Sequence, residues 1–149
     1  MKKSNSVKAV VFLVLITVAV AAICFFVRTD IPEGTLRIDH NGQRVDLLLE
    51  QFELVPVQGT VINGKGEERN INVQGILLSN VLQKLDINEC SLVTVVADDE
   101  YSAQVTWEEI AHPGKVYLIQ QEEGGMQLII FGDNNSKRNV SDVVRLSVQ

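Results

Sequence analysis

The sequence has few of the residues on which catalytic and metal sites most often depend. It carries two histidines and two cysteines in 149 residues. His40 precedes an Asn41-Gly42 pair and His112 precedes Pro113, so both are expected to be solvent-exposed loop residues. A zinc site needs several such donors to converge, and nothing in this spacing demands it. Beyond position 24 the sole cysteine is Cys90, so no intramolecular disulfide can form in that part of the chain. No Gly-rich phosphate loop, Ser-His-Asp order, zinc-type spacing, internal repeat or low-complexity tract occurs. The sequence therefore assigns no catalytic residue and no metal ligand.

Basic charge is also scarce where it would matter. Lys2, Lys3 and Lys8 stand at the start of the chain, and the remaining ten basic residues face all nineteen acidic ones, a formal charge of −9. Nucleic-acid phosphates need a basic footprint, so a nucleic-acid partner is excluded on this balance. Such a domain is expected to stay soluble and to stand off from an anionic membrane surface.

What the sequence does have is one long apolar run. The apolar fraction of 46% is ordinary, but from Ala9 to Val27 nineteen consecutive residues carry no charge, and Thr17 alone among them bears a hydroxyl. As a helix at ~1.5 Å per residue this run spans roughly 28 Å, close to a bilayer's hydrocarbon core. The basic excess before it keeps the N-terminus inside. The expected organisation is a cytoplasmic basic N-terminus (1–8), a transmembrane signal-anchor (9–27), a Pro-interrupted tether (28–34) and an extracytoplasmic domain (35–149) on the cytoplasmic membrane. A cleaved signal peptide is the competing reading, since Ala19-Val20-Ala21 offers small residues at suitable spacing. Ile23 to Val27 continues the apolar run beyond that point, which argues against it. Cys24 invites a lipoprotein reading, but Ile23 is too large for the residue before a lipidated cysteine. All three leave the domain outside. Without disulfides, a domain of ~115 residues must rely on its apolar core, which that size permits.

Within the domain, Thr35 to Asp39 reads as a strand and Asn41-Gly42 as a two-residue hairpin turn, both positions tolerating φ > 0. Asp46 is expected to cap a short helix through Phe52, with a continuous strand as the alternative. Leu54 to Ile62 reads as an edge or bent strand because Pro56 lacks a ladder donor. Asn63 to Gly66 is a turn, and Glu67 to Gln74 the return strand, broken at Gly75 where a helix packs close. That helix, about Ser79 to Leu85 with Ser79 as N-cap, carries Leu78, Val81, Leu82 and Leu85 on one stripe. Leu92 to Ala97 reads as a central strand covered on both faces. Tyr101, Ala103, Val105 and Trp107 alternate with polar residues, a half-buried strand with Trp107 as core. Thr106-Trp107-Glu108-Glu109 fits a capping box opening one helical turn before Pro113-Gly114. Lys115–Gln121, Met126–Phe131 and Val143–Val148 complete the strands. The fold class is α+β: a mainly antiparallel or mixed sheet domain with two or three short helices.

One stretch, Asn72 to Trp107, resembles a known family. Gly75-Ile76-Leu77-Leu78-Ser79-Asn80-Val81-Leu82 is similar to the Gly-Val-x-Leu-x-Asp-Leu-Leu helix of the sulfite oxidase-like molybdopterin-binding domain. Ala97-Asp98-Asp99-Glu100-Tyr101-Ser102 looks like the Asp-Gly-Tyr strand end that follows it there, with Glu100 standing where that family often has glycine. Arg138 to Val148 is similar to the family's last strand, and the resemblance covers roughly Val57 to Gln149. It implies a sulfite oxidase-like fold. It also implies molybdopterin as a cofactor, but by resemblance only: the family's ligand is a loop cysteine, a soft donor suited to such a metal, and Cys90 follows the helix, where the family does not place it. Nor are the scattered basic residues clustered to neutralise a pterin phosphate. Cys90 is expected to be a small half-buried residue, and the chain reads as the family's compact core without bound cofactor.

The candidate binding turn is Asp98, Asp99, Glu100 and Tyr101. Hard cations take oxygen ligands of this kind, though the turn lacks the alternate spacing and glycine of a dedicated calcium loop. A solvated acidic turn is the competing reading. Asn134-Asn135-Ser136 and Asn139-Val140-Ser141 match the glycosylation acceptor pattern, which matters only in a eukaryotic secretory setting. The leading functional expectation is a membrane-anchored extracytoplasmic binding or interaction domain. The alternatives are a divergent molybdopterin-dependent oxidoreductase or its accessory subunit, with a redox protein as partner, and a structural subunit of an envelope complex.

Overall fold

The computed structural model describes residues 31–149. The expected cytoplasmic N-terminus, the anchor at 9–27 with its cleavage and lipidation alternatives, and the first part of the tether lie outside the described residues. Among the described residues no helix is long and apolar enough to cross a membrane.

Among the described residues nine strands form two sheets. Strands β1 (Thr35–His40), β2 (Gln43–Leu48), β5 (Leu92–Ala97), β6 (Ser102–Thr106) and β9 (Val143–Val148) make a five-stranded sheet in the order β2-β1-β9-β5-β6. Strands β3 (Val55–Ile62), β4 (Glu68–Leu77), β7 (Val116–Gln120) and β8 (Met126–Ile130) make a four-stranded sheet in the order β3-β4-β7-β8. All pairings are antiparallel except β1 with β9. Two short helices, α1 (Leu78–Gln83) and α2 (Trp107–Ala111), and 3-10 turns at Leu49–Gln51 and Ser136–Arg138 complete the domain. The expected sheet-dominated α+β class with few short helices is what is seen.

Alternation explains the main core. Leu36 and Ile38 of β1, Val93 and Val95 of β5, Val105 of β6 and Leu146 of β9 are all at most 1% exposed. They meet Ile76, Leu118, Leu128 and Ile130 of the other sheet, and Leu78, Val81 and Leu82 of α1, in one cluster. Cys90 and Trp107 pack half-buried against it, Trp107 as the first residue of α2 rather than the end of a strand. A second, smaller cluster of Val57, Ile71, Ile119 and Ile129 lies on the opposite face of the four-stranded sheet.

Five local expectations are corrected. Asp46 caps no helix. It lies in β2 opposite Arg37 and accepts two guanidinium hydrogen bonds, at 2.7 and 2.8 Å, so the cross-strand pair holds the residue extended. Gly75 does not break β4, which runs on to Leu77; a Cβ there would sit 2.9 Å from the Leu118 carbonyl and 3.1 Å from Val57 and Ile119 side chains. Its small size admits neighbouring strands, not a helix. Because β4 continues, Leu77 takes the N-cap position of α1 and Ser79 lies inside the helix with no capping bond. His40 closes β1 as a partly buried strand residue, while His112 is exposed as expected. Finally, β5 is central but buries one face fully: Leu92 and Thr94 on the other stay partly exposed beside Ser147 and Gln104. The Asn41-Gly42 turn (φ 50° and 74°), edge placement of Pro56 and the Thr106–Glu109 capping box are as expected.

Candidate functional cleft

A cleft of about 670 Å³ opens where the two sheets part at one end. It lies beyond the ends of β5 and β7 and the starts of β1, β8 and β9. Its floor is apolar: Ile76, Met126 and Val143 are 1%, 4% and 4% exposed, and Leu49, Phe52 and Leu54 form the wall where the chain crosses from one sheet to the other. Four carboxylates, Glu33, Glu50, Asp98 and Asp142, stand around it, and the described lining includes no Lys, Arg or His.

Each carboxylate is placed by a different backbone device. The strap bearing Glu33 is a turn closed by Thr35 N–H donating to the Pro32 carbonyl (3.1 Å), and it is fastened at its end by Leu49 N–H donating to the Gly34 carbonyl (2.9 Å). The second of these bonds also fixes the 3-10 turn carrying Glu50. Asp98 opens the β5–β6 turn, where Glu100 N–H donates to the Ala97 carbonyl (3.1 Å), Ala97 N–H to the Tyr101 carbonyl (2.8 Å), and Tyr101 N–H to the Asp99 carboxylate (2.9 Å). Asp142 sits at φ 50° before β9; its carbonyl accepts from Asp98 N–H (3.0 Å) and its N–H donates to the Gln121 side chain (3.2 Å). Gly125 passes so close that a Cβ would lie 3.0 Å from an Asp142 carboxylate oxygen.

The loop leading to Asp142 is pinned along its length. Arg138 donates to both carboxylate oxygens of Glu109 (2.9 and 2.7 Å), to Asp133 (2.7 Å) and to the Gln104 carbonyl. The Asn139 amide donates to the Ile62 carbonyl, and Leu128 N–H to the Val140 carbonyl. The Tyr101 hydroxyl reaches the Lys137 carbonyl. The guanidinium of Arg138, with help from Thr106, pulls the Glu109 carboxyl down to about 2.

The four residues of the expected binding turn are divided among three places. Asp98 alone reaches the large cleft. Asp98, Asp99 and Tyr101 also border a smaller hollow of about 310 Å³ with Asn139, Ser141 and Asp142. Glu100, at φ 67°, turns to the outer face of the five-stranded sheet and pairs with Arg145 at 3.2 Å. Sequence reasoning missed Glu33, Glu50, Asp142, Phe52 and Met126, which come from four segments far apart in the chain.

Two further residues are placed clearly. Burial and the neighbouring Glu89 push the Cys90 thiol up, the direction of an unreactive side chain. Of the two acceptor-type asparagines, Asn134 is exposed, whereas Asn139 spends its amide on Ile62. Among the described residues no group of three His, Cys, Asp or Glu side chains is disposed to hold a metal ion. Compared with models of known protein families and with curated proteins, the chain matches none.

Proposed function

We propose that this chain is a membrane-anchored extracytoplasmic binding domain that holds its ligand in the cleft between its two sheets, with the run 9–27 as its anchor. The observation that carries this reading is the union of an apolar floor with four acidic side chains at the rim of a concavity of about 670 Å³, within the range of ligand sites.

Two features support kinship with the sulfite oxidase-like fold as its framework. Glu100, at the position that family often fills with glycine, has the left-handed φ of 67° that glycine adopts most easily. The Gly75–Leu82 segment runs directly from strand into helix. The residues do not fit the family's cofactor. Cys90 packs half-buried against the core with its thiol pushed towards the protonated form, the wrong state for a metal ligand. The cleft's carboxylates would repel a pterin phosphate rather than hold it.

The test is metal and pterin analysis of the full chain purified in detergent. The binding-domain reading expects neither at stoichiometric level, and stoichiometric molybdenum would overturn it. Membrane extraction at alkaline pH checks the anchor: the intact chain is expected to stay with the membrane pellet, and release of a shortened chain would favour signal cleavage.

A further inference from the structure

The described lining of the cleft brings four acidic side chains together with no basic one. Five acids elsewhere are ion-paired, Asp46 with Arg37, Asp39 with Arg44, Glu100 with Arg145, and Glu109 and Asp133 with Arg138, and others such as Glu53, Glu68, Glu108 and Glu123 stand exposed on the outer surface. The cleft's Glu33, Glu50, Asp98 and Asp142 make no side-chain ion pair or hydrogen bond with any described residue. Four unmatched carboxylates around one low-dielectric concavity focus a negative field into it. That field disfavours anions and offers neutral ligands hydrogen-bond acceptors but no Coulomb gain. A cation gains from every side of the rim.

The floor sets the other half of the requirement. Ile76, Met126 and Val143 seal the base, while the half-buried Leu49 and Phe52 and the exposed Leu54 leave an apolar wall open to water. A bare metal ion or a small hydrated ammonium would leave this surface uncovered. A ligand with an apolar body removes it from water and places a positive group among the carboxylates. The fastened strap, the 3-10 turn and the pinned loop hold the rim in place beforehand, so little ordering is needed on binding.

We infer that the cleft takes an organic cation with an apolar body, an amine or guanidinium joined to a hydrocarbon or aromatic group. This rests on the binding-domain reading and names the class of ligand for that same site.

The chain offers its own reporter, because it has only two methionines, Met1 and Met126, and Met126 lies on the cleft floor. The full chain, labelled with ¹³C at the methionine methyls and held in lipid nanodiscs, is titrated with three probes of one shape. These are 4-phenylbutylamine, 4-phenylbutanol and 4-phenylbutyrate, carrying positive, zero and negative charge. The amine is expected to shift the Met126 methyl saturably and to bind about tenfold more tightly than the alcohol, with the carboxylate weaker still. Added salt narrows the gap. The double variant Glu33→Gln/Glu50→Gln, both exposed positions where folding is not at stake, is expected to bring the amine to within about threefold of the alcohol. Equal binding of all three probes would overturn the cationic class while leaving the cleft as a binding site. No movement of the Met126 methyl with any probe would overturn the binding-site reading as well.

Discussion

Arg138 grips both carboxylate oxygens of Glu109, at 2.9 and 2.7 Å, across twenty-nine positions of chain. Glu109 is also the third residue of α2, where its carboxylate accepts from the Thr106 N–H at 3.0 Å. One side chain thus closes a local cap and fastens a distant loop. Replacing Arg138 with Met is expected to cost about 1–3 kcal/mol, between the exposed and buried limits for an ion pair. Chemical denaturation at pH 7 measures it. Amide exchange should show the loss concentrated in residues 132–142.

The same pair fixes a pH dependence. The Glu109 carboxyl lies near 2 in the folded protein against an ordinary value of 4.5. A depressed folded value means the contribution is fully present above about pH 4.5 and is lost as pH falls towards 2. Denaturation curves from pH 7 to 2 for the native chain and Glu109→Gln should therefore converge at the acid end. A constant difference between them would show that Glu109 does not titrate as its partners require.

Two glycines should differ in how they tolerate alanine. A Cβ at Gly75 meets the Leu118 carbonyl, part of a strand that cannot retreat, at 2.9 Å. A Cβ at Gly59 meets the Phe131 ring at closer range, but that ring is a side chain at the end of β8 that can swing aside, losing its edge contact with Tyr117. Gly75→Ala is expected to cost about 2–3 kcal/mol and Gly59→Ala about 1. Parallel thermal melts give the order.

Cys90 should react slowly. Its burial and its neighbour Glu89 both favour the protonated thiol. Alkylation at pH 8 is expected to run well below the rate of an exposed cysteine and to recover fully in denaturant. Fast labelling in the native state would mark the connector between α1 and β5 as open.

Thr106→Ala removes the hydroxyl that accepts the Glu109 N–H at 3.3 Å. A loss of about 1 kcal/mol is expected. Combined with Arg138→Met, the effect should be less than additive, because both substitutions release the same carboxylate.

The features that could be read from the sequence are those whose causes lie within a few residues. The Thr106–Glu109 box spans four positions, the Asn41-Gly42 turn two, and the alternation of Ala103 and Val105 with Ser102 and Gln104 is a property of one strand. Asp46 misled because its partner Arg37 lies nine positions away across a hairpin, and a lone Asp before apolar residues looks the same as a helix cap. Ser79 misled because nothing local says that β4 runs on to Leu77. The acidic turn at Asp98 was visible as a dense cluster, yet only one of its members faces the cleft. The other three cleft carboxylates are isolated in the chain, and only the pairing of β9 with β1 and β5 gathers the ends of those segments.

That pairing gives β9 a particular place in assembly. The hairpin β1–β2 and the hairpin β5–β6 never touch as neighbouring strands; β9 is the one strand between them, parallel to the first and antiparallel to the second. Until Val143–Val148 has been synthesised, the sheet is two separate ribbons, each with an unpaired edge, and closure must bring together residues over a hundred positions apart. Folding should be correspondingly slow. A chain cut in the loop before β9 is expected to leave both ribbons open and to regain the closed sheet when that strand is added as a free peptide.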